Sequence, residues 1–437
     1  MYDLAIIGLG PSGLEALRIA NENNLNVIVF EPSEPGGTCL NLGCIPTKAI
    51  VHCAQFYNDM KNSSKLGITL LVEPKIRWKT ILDRKDEIVY KFRKALKQTL
   101  SKNVTLINKR ASLILENNTV EICADDNLYR AKNIIIASGS KPRTIKGLEV
   151  DSKFIINSDD IFNFTQLPKS IAIIGSGAIG LEWAMIFSNF NVKVSLIEKE
   201  ENLAPVFDKD IRKRVERILK LNNIDYYKND YVVDIKNNTV CLNSNKKIEV
   251  DNLLVAAGRV PLLPKIQVQG CSEDYKLRIF NNNTTDIDNL FVTGDACGFS
   301  TLAHSAAFQA KNIMNKILFN KEPEKKDIPS VVFTNPEIAS IGLREQDIED
   351  FSNYRIKKVL MSSIAKSWCC EAQDGFIKVI IKDNIIKGAH IVSKEASILI
   401  SLFCILIDRQ ININDIKDMI IPHPTLAEAI MEALRIE

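Results

Sequence analysis

Two cysteines, Cys39 and Cys44, stand with four residues between them in the stretch GGTCLNLGCIPTKAI, residues 36–50. This spacing is wider than the C-x-x-C of thioredoxin-type redox motifs. There is no second pair at zinc-ribbon spacing, so no metal site is expected. The chain carries ten cysteines and opens on MYDLAIIGLG, which runs directly into an apolar strand. With no basic segment ahead of an apolar one, a signal peptide is not expected, and the expected setting is a reducing one, the cytoplasm. There a close thiol pair is expected to be catalytic rather than a structural staple. Pro46 suits the first turn of a helix and puts Cys44 at its N-terminus, where the helix dipole favours a thiolate. A lowered pKa is therefore expected for the pair, since the thiolate is the reactive form.

The bulk properties exclude several classes. The chain has 437 residues, 46% hydrophobic and 25% charged, with a net charge of +3. This is an ordinary globular composition, with room for roughly two to four domains. The charge is too small to argue for nucleic acid or an anionic membrane surface. The apolar run ASILISLFCILI, residues 396–407, is 12 residues long, too short to span a bilayer, and suits a buried helix.

The elements that must position the thiols come from a repeat. LAIIGLGPSGLEA starts at Leu4, and IAIIGSGAIGLEW starts at Ile171. Each reads as an apolar strand, a G-x-G-x-x-G turn and a helix. The glycines are Gly8, Gly10 and Gly13 in the first copy, and Gly175, Gly177 and Gly180 in the second. Such a turn lets the backbone approach a pyrophosphate at a helix N-terminus. One match alone would be weak. Here each copy runs on into a second strand ending in an acid, Glu31 and Glu198, and each acid lies 23 residues past its first glycine. That offset suits a carboxylate holding ribose hydroxyls. A carboxylate in that place repels a 2′-phosphate, so the second site is expected to prefer NAD over NADP. The copies also close alike, on NIIIASGSKP with Gly139 and on NLLVAAGRVP with Gly258. The first copy is the longer and contains the cysteines, and an amphipathic helix is predicted in it over 81–100 from Ile88, Phe92, Leu96 and Leu100.

Further on, NLFVTGDACG reads as a strand closing on Gly294-Asp295. From about residue 327 the character changes. PSVVF, RIKKVLM, GFIKVIIKDN and IIKGAHIV read as strands, the last two joined at Asp383-Asn384, and helices follow. His390 on the last strand is read as packing, and the vicinal pair Cys369-Cys370 as incidental.

Taken in order, GLGPSG, GGTCLNLGCIPTK, IASGSKP, IGSGAIGLE, AAGRVP, TGDACG, FTNPE and HPTLAE resemble class I of the pyridine nucleotide–disulfide oxidoreductase family. Within it, they resemble the branch that oxidises dihydrolipoamide. The resemblance spans the chain. It implies an α/β fold of two Rossmann-like dinucleotide-binding domains and a C-terminal α+β dimerisation domain. The FAD domain would be 1–145 and 260–325, the NAD domain 146–259 and the interface domain 326–437. It implies FAD at Gly8, Gly10, Gly13, Glu31, Lys48, Gly139 and Asp295, and NAD at Gly175, Gly177, Gly180, Glu198 and Gly258. By the same resemblance Cys39 and Cys44 form the redox disulfide, Cys39 meeting the substrate and Cys44 lying beside the flavin. Lys48 and Glu182 accompany the flavin and nicotinamide. His423, oriented by Glu428, is the base that reaches the opposite subunit's site. The implied activity is NAD-linked oxidation of dihydrolipoamide by a homodimer, serving a lipoyl-bearing protein of a 2-oxo acid dehydrogenase complex or of glycine cleavage. Two alternatives are an NAD(P)H-dependent disulfide reductase of the glutathione reductase type, which would want basic residues near Glu198, and a non-catalytic relative that binds FAD and NAD.

Overall fold

Residues Tyr2–Ile7 form the central strand of a five-stranded, all-parallel sheet. Its order is Leu290–Val292, Ala131–Ile136, Tyr2–Ile7, Val27–Phe30 and Val104–Ile107. The structure is a computed structural model and describes residues 1–98, 103–116, 119–270, 274–416 and 418–435. By its internal contacts the chain divides into two units. The first is Met1–Ile50, Lys79–Arg143 and Gly258–Lys325, and the second is Val51–Trp78, Thr144–Ala257 and Lys326–Glu437.

In the first unit the central strands are continuous apolar runs because both faces of the sheet are covered. Side chains alternate between the faces. Leu4, Ile6, Val27, Val29 and Ile135 pack on the helices Pro11–Glu22 and Ala303–Phe319. Ala5, Ile7, Ile28, Phe30, Ile134 and Ile136 pack on Leu113, Ile122 and Ile266. These last belong to a four-stranded sheet of Ile266–Val268, Ser112–Glu116, Thr119–Ala124 and Asn127–Tyr129. Burying each Leu, Ile or Phe fully contributes about 1.5–3 kcal/mol. The predicted amphipathic helix is present as Trp78–Gln98, and its predicted last contact, Leu100, lies outside the described residues.

The second unit repeats the parallel sheet in the same relative order. Asp225–Lys228, Lys193–Glu198, Ser170–Ile174 and Asn252–Val255 stand side by side, all parallel, with Ile155–Ile156 at the edge. It also holds a five-stranded antiparallel sheet, in the order Ser330–Val332, Glu337–Gly342, Ile385–Ser393, Phe376–Lys382 and Tyr354–Leu360. Four of these strands were legible in the sequence. Glu337–Gly342 was not, since EIASIG alternates weakly and ends in glycine. Asp383 and Asn384, both at positive φ, make the expected tight turn.

One face of the antiparallel sheet presents Ala339, Ile341, Ile377, Val379, Ala389 and Ile391 to the helices Ala396–Asp408 and Glu428–Leu434. Here the expectation of a buried helix over 396–407 is corrected. Leu399, Ile400 and Phe403 are buried, but Ile398, Leu402 and Ile405 are 66%, 41% and 57% exposed. The helix is apolar all round, and its own chain covers only one face of it.

The other face of that sheet carries a polar row. Ser340 pairs with His390, and His390 pairs with Lys378, on three adjacent strands. His390 Nε2 meets the Leu343 carbonyl at 2.9 Å, which can only accept, so Nε2 carries the hydrogen, and Nδ1 meets the Ser340 hydroxyl at 2.7 Å. Burial holds its pKa below the ordinary histidine value. Its predicted packing role stands, with both ring nitrogens engaged. Lys378 is 1% exposed, and its ammonium meets Asp208 at 2.8 Å, Asp210 at 2.9 Å and Glu345. Asp208 also caps the helix Lys209–Leu221 by accepting the Asp210 N–H at 2.9 Å.

Burial opposes the charge on each of these groups, and the mutual hydrogen bonds override it. Asp208, Asp210 and Glu345 are held below their ordinary values and Lys378 above its own. The carboxylates contribute stability above about pH 4, which is lost as pH falls through their folded values. Lys378 contributes below about pH 10.4, which is lost as pH rises through its folded value. Lys378→Met leaves the buried Asp208 and the half-buried Asp210 and Glu345 carboxylates facing one another and is expected to cost about 3–5 kcal/mol at neutral pH. Denaturant melts at pH 7 and pH 4 check this. The deficit is expected to shrink at pH 4, and an equal deficit at both would rule out the charge cluster as its source.

Candidate active site

The two glycine turns are superimposable in their chemistry. A Cβ on Gly13 would lie 2.0 Å from the Gly8 carbonyl oxygen, and one on Gly180 would lie 1.9 Å from that of Gly175. Gly8 and Gly175 both adopt φ +102°, and a Cβ on either would lie 2.5 Å from the carbonyl oxygen of the neighbouring strand's end, Ala137 or Ala256. Each helix therefore starts directly against its strand. The helices Pro11–Glu22 and Ala178–Asn189 begin after Gly10 and Gly177, neither start having a side-chain cap. A Cβ on Gly177 would meet nothing within 4 Å. The first turns thus offer backbone N–H groups and space to an anion.

The acids close both turns from the second strand. Glu31 Oε2 accepts the Leu9 N–H at 2.8 Å, and Oε1 that of Ser33 at 3.0 Å. Glu198 Oε2 accepts the Ser176 N–H at 2.8 Å, and Oε1 that of Glu200 at 3.0 Å. Both acids are buried. The Ser176 hydroxyl adds a third bond to Glu198 at 2.6 Å. Lys199 is exposed and pairs with Glu200. A carboxylate offers about four acceptor sites, so each acid keeps capacity for a ribose hydroxyl.

The cysteines are seated on the first turn by glycines that motif reading passed over. The Gly36 N–H donates to the Leu9 carbonyl at 2.8 Å. A Cβ on Gly37 would lie 2.6 Å from Gly10 Cα, so the short helix Gly37–Asn41 rests on the turn itself. The second helix, Cys44–Lys61, begins at Cys44 as expected, with the Gly43 carbonyl accepting the Thr47 N–H at 3.0 Å. A Cβ on Gly43 would lie 2.9 Å from the Thr38 carbonyl oxygen and 3.4 Å from Cys39 Cα. The missing side chain at Gly43 is what lets the two helix ends, and with them the two thiols, meet.

Both cysteines are free thiols in hydrogen-bond contact. The Cys39 thiol is pushed far above the ordinary cysteine range. The first cause is its hydrogen bond to Cys44, followed by burial and by the charge on Cys44, while the Cys44 N–H and the Lys48 ammonium pull the other way. The expectation of a lowered pKa for the pair is therefore corrected at Cys39. A negative charge on Cys44 disfavours a second one on Cys39, which is why the shift is upward.

Asp295 sits in the short turn Gly294–Cys297 after the strand Leu290–Val292. Its Oδ2 accepts the Ser140 hydroxyl at 2.5 Å, and Ser140 Oγ in turn accepts Arg259 Nε at 2.7 Å. A Cβ on Gly294 would lie 2.9 Å from Ser12 Oγ, so this turn abuts the start of the first helix. Gly139 and Gly258, both at positive φ, precede Ser140–Pro142 and Arg259–Pro261, which pair with each other as a two-stranded ribbon. Gly258 begins the return of the chain to the first unit.

The remaining predicted residues lie in the second unit. Glu182 is buried on the helix Ala178–Asn189 and accepts the Phe333 N–H at 3.1 Å. His423 is exposed, and its Nδ1 meets Glu428 Oε1 at 2.8 Å. A carboxylate only accepts, so Nδ1 carries the hydrogen and Nε2 is left to take a proton. The His423 hydrogen bond, and then the Thr425 N–H at 2.9 Å, hold Glu428 below the ordinary carboxylate range. The Cys369 and Cys370 sulfurs turn back onto the carbonyls of Ala365 and Lys366, in the short helix Ala365–Cys369 that Cys370 follows.

The profile of the pyridine nucleotide-disulphide oxidoreductase family matches residues 2–310, and that of its dimerisation domain matches 328–434. The chain therefore belongs to this family of oxidoreductases, and its C-terminal part is the module through which the family forms homodimers. The dihydrolipoyl dehydrogenase of Buchnera aphidicola is 33% identical, with 98% of this chain and 94% of that one covered. That of Mycoplasma pneumoniae is 28% identical over 99% and 98%. Among solved structures, LpdA of Mycobacterium tuberculosis matches with a TM-score of 0.88 at 22% identity, covering 99% of both chains. The HOCl-induced flavoprotein disulfide reductase RclA of Escherichia coli matches at 0.84 and 23%, again over 99% of both. At these identities the two structures speak for the fold. The family uses FAD and NAD(H), and the two uncapped helix starts with their buried acids fit two such dinucleotides. Among the described residues, no helix is long and apolar enough to cross a membrane.

Gly43→Ala is expected to drive the two helix ends apart. Oxidation of the reduced pair by excess oxidised dithiothreitol is expected to slow at least about tenfold, with about 1–3 kcal/mol lost in stability. Trapping of free thiols over time checks this. An unchanged rate would mean that Gly43 does not set the sulfur contact.

Proposed function

We propose that the chain oxidises dihydrolipoamide to lipoamide with NAD⁺ as acceptor, as a homodimer serving a lipoyl-bearing protein of a 2-oxo acid dehydrogenase complex or of glycine cleavage. The observation that carries this reading is the Cys39–Cys44 pair, held in thiol contact directly on the first dinucleotide turn. Full-length similarity to dihydrolipoyl dehydrogenases supports the substrate. The buried Glu198, with Lys199 turned away to Glu200, supports NAD over NADP. In this reading 1–145 and 260–325 hold FAD, 146–259 hold NAD, and the setting is the cytoplasm.

The steps follow from the residues. A substrate thiol gives its proton to Nε2 of the partner subunit's His423, whose imidazolium Glu428 stabilises. The thiolate attacks Cys39 Sγ, a mixed disulfide forms, and Cys44 leaves as thiolate. The second substrate thiol attacks the substrate sulfur of that mixed disulfide. Lipoamide departs with its disulfide closed, and Cys39 leaves as the thiol that hydrogen-bonds Cys44. The chemistry FAD supplies when bound is acceptance of the two electrons from this pair and their delivery as hydride to NAD⁺. Lys48 lies close enough for its charge to act on Cys39, opposing retention of the Cys39 proton.

The test is NAD⁺ reduction by dihydrolipoamide with FAD-loaded protein. Turnover is expected with NAD⁺, at least about tenfold less with NADP⁺, and none in Cys44→Ser. His423→Gln is expected to lower the rate about 10²–10⁴-fold, the range of a lost general base. FAD-loaded protein that folds and dimerises but does not turn over dihydrolipoamide would overturn the proposal. Turnover of another disulfide with NADPH would replace it with the reductase reading.

A further inference from the structure

We propose that Arg93 is a positioning residue for the thiol pair, acting through Asn41. The inference rests on the reading of Cys39 and Cys44 as a redox couple and adds a residue that no motif contains.

Asn41 closes the short helix Gly37–Asn41 that carries Cys39. Its Nδ2 donates to three carbonyl oxygens, those of Glu34 at 3.1 Å and Pro35 at 3.3 Å in the approach to that helix and that of Gly37, its first residue, at 2.9 Å. This fixes the amide, since turning it over would set its oxygen against three acceptors. Its Oδ1 then faces Arg93 Nε at 2.6 Å, a charge-assisted bond. Arg93 lies on the 21-residue helix Trp78–Gln98. One turn on, Lys97 meets Glu34 at 2.9 Å and holds its carboxylate below the ordinary range, with a smaller contribution from Arg93. The long helix thus grips the Cys39 segment at both ends. Arg93 is half-buried, so its bond is screened less than a surface pair.

This grip exists with the thiols reduced. Closing the disulfide takes the two sulfurs from hydrogen-bond contact to covalent contact, and in this proposal the short helix shifts with Cys39 as they close. A brace that holds the helix in its dithiol place favours the reduced pair, and its loss favours the disulfide.

FAD-loaded protein is equilibrated with mixtures of reduced and oxidised dithiothreitol, and the Cys39 and Cys44 thiols are counted by mass after maleimide trapping. Arg93→Met is expected to move the equilibrium toward the disulfide roughly tenfold, about 30 mV for a two-electron couple. Asn41→Ser is expected to shift it in the same direction, and adding Arg93→Met to it to change little more, because both act through one contact. Lys94→Met, exposed on the same helix, is expected to change nothing. An unchanged equilibrium in Arg93→Met, or full additivity with Asn41→Ser, overturns the proposal. Should Arg93→Met fail to fold, Arg93→Lys, which keeps the charge but moves the donor, is judged by the same criterion. The readout contains no lipoamide, so it is decided separately from the substrate.

Discussion

The absence of a side chain at Gly13 and at Gly180 is the constraint on which both dinucleotide turns depend. With a carbonyl oxygen 2.0 Å or less from where a Cβ would stand, each helix starts in contact with its strand. That contact aims the helix's free N–H groups past the strand end. It also brings Leu9 and Ser176 to the acids of the neighbouring strands. The same economy of atoms recurs at Gly37 and Gly43. One seats the cysteine segment on the turn, and the other lets its two helix ends meet. Cysteine segment and first glycine turn are thereby one construction, built on backbone contacts that tolerate no added carbon.

Within that construction the two thiols stand in different settings. Cys44 begins a helix and Cys39 lies on the preceding one, so only Cys44 stands at the positive end of an 18-residue helix. The Cys39 thiol is held above the ordinary cysteine range, first by its hydrogen bond to Cys44. In the proposed mechanism one of these sulfurs passes electrons inward while the other exchanges with substrate. Arg93 and Lys97 meet Asn41 and Glu34, on either side of Cys39, from the helix Trp78–Gln98.

The second unit is organised by a different rule, the two-residue period of its antiparallel sheet. One face is apolar and meets helices. The other carries Ser340, His390 and Lys378 in a row, closed by carboxylates from Asp208, Asp210 and Glu345. The apolar helix Ala396–Asp408 leaves Ile398, Leu402 and Ile405 uncovered, in the segment matched by the family's dimerisation domain. A face of that kind is stable in water only when another surface covers it.

From the sequence alone came the repeat, its two acids at equal offsets, the thiol pair and the helix that starts at Cys44. All of these are local patterns, set by backbone sterics and hydrophobic period within a few tens of residues. What the pattern could not tell was which partners meet across the chain. Asp208 reaches Lys378 from 170 positions away, and Ser140 reaches Asp295 from 155. Periodicity says only that a residue points inward or outward. It marked 396–407 as apolar, but not that half of its surface would be left open. It marked Cys39 as reactive, but not that its pKa would be raised, because a pKa depends on the charge and burial that packing places around the sulfur.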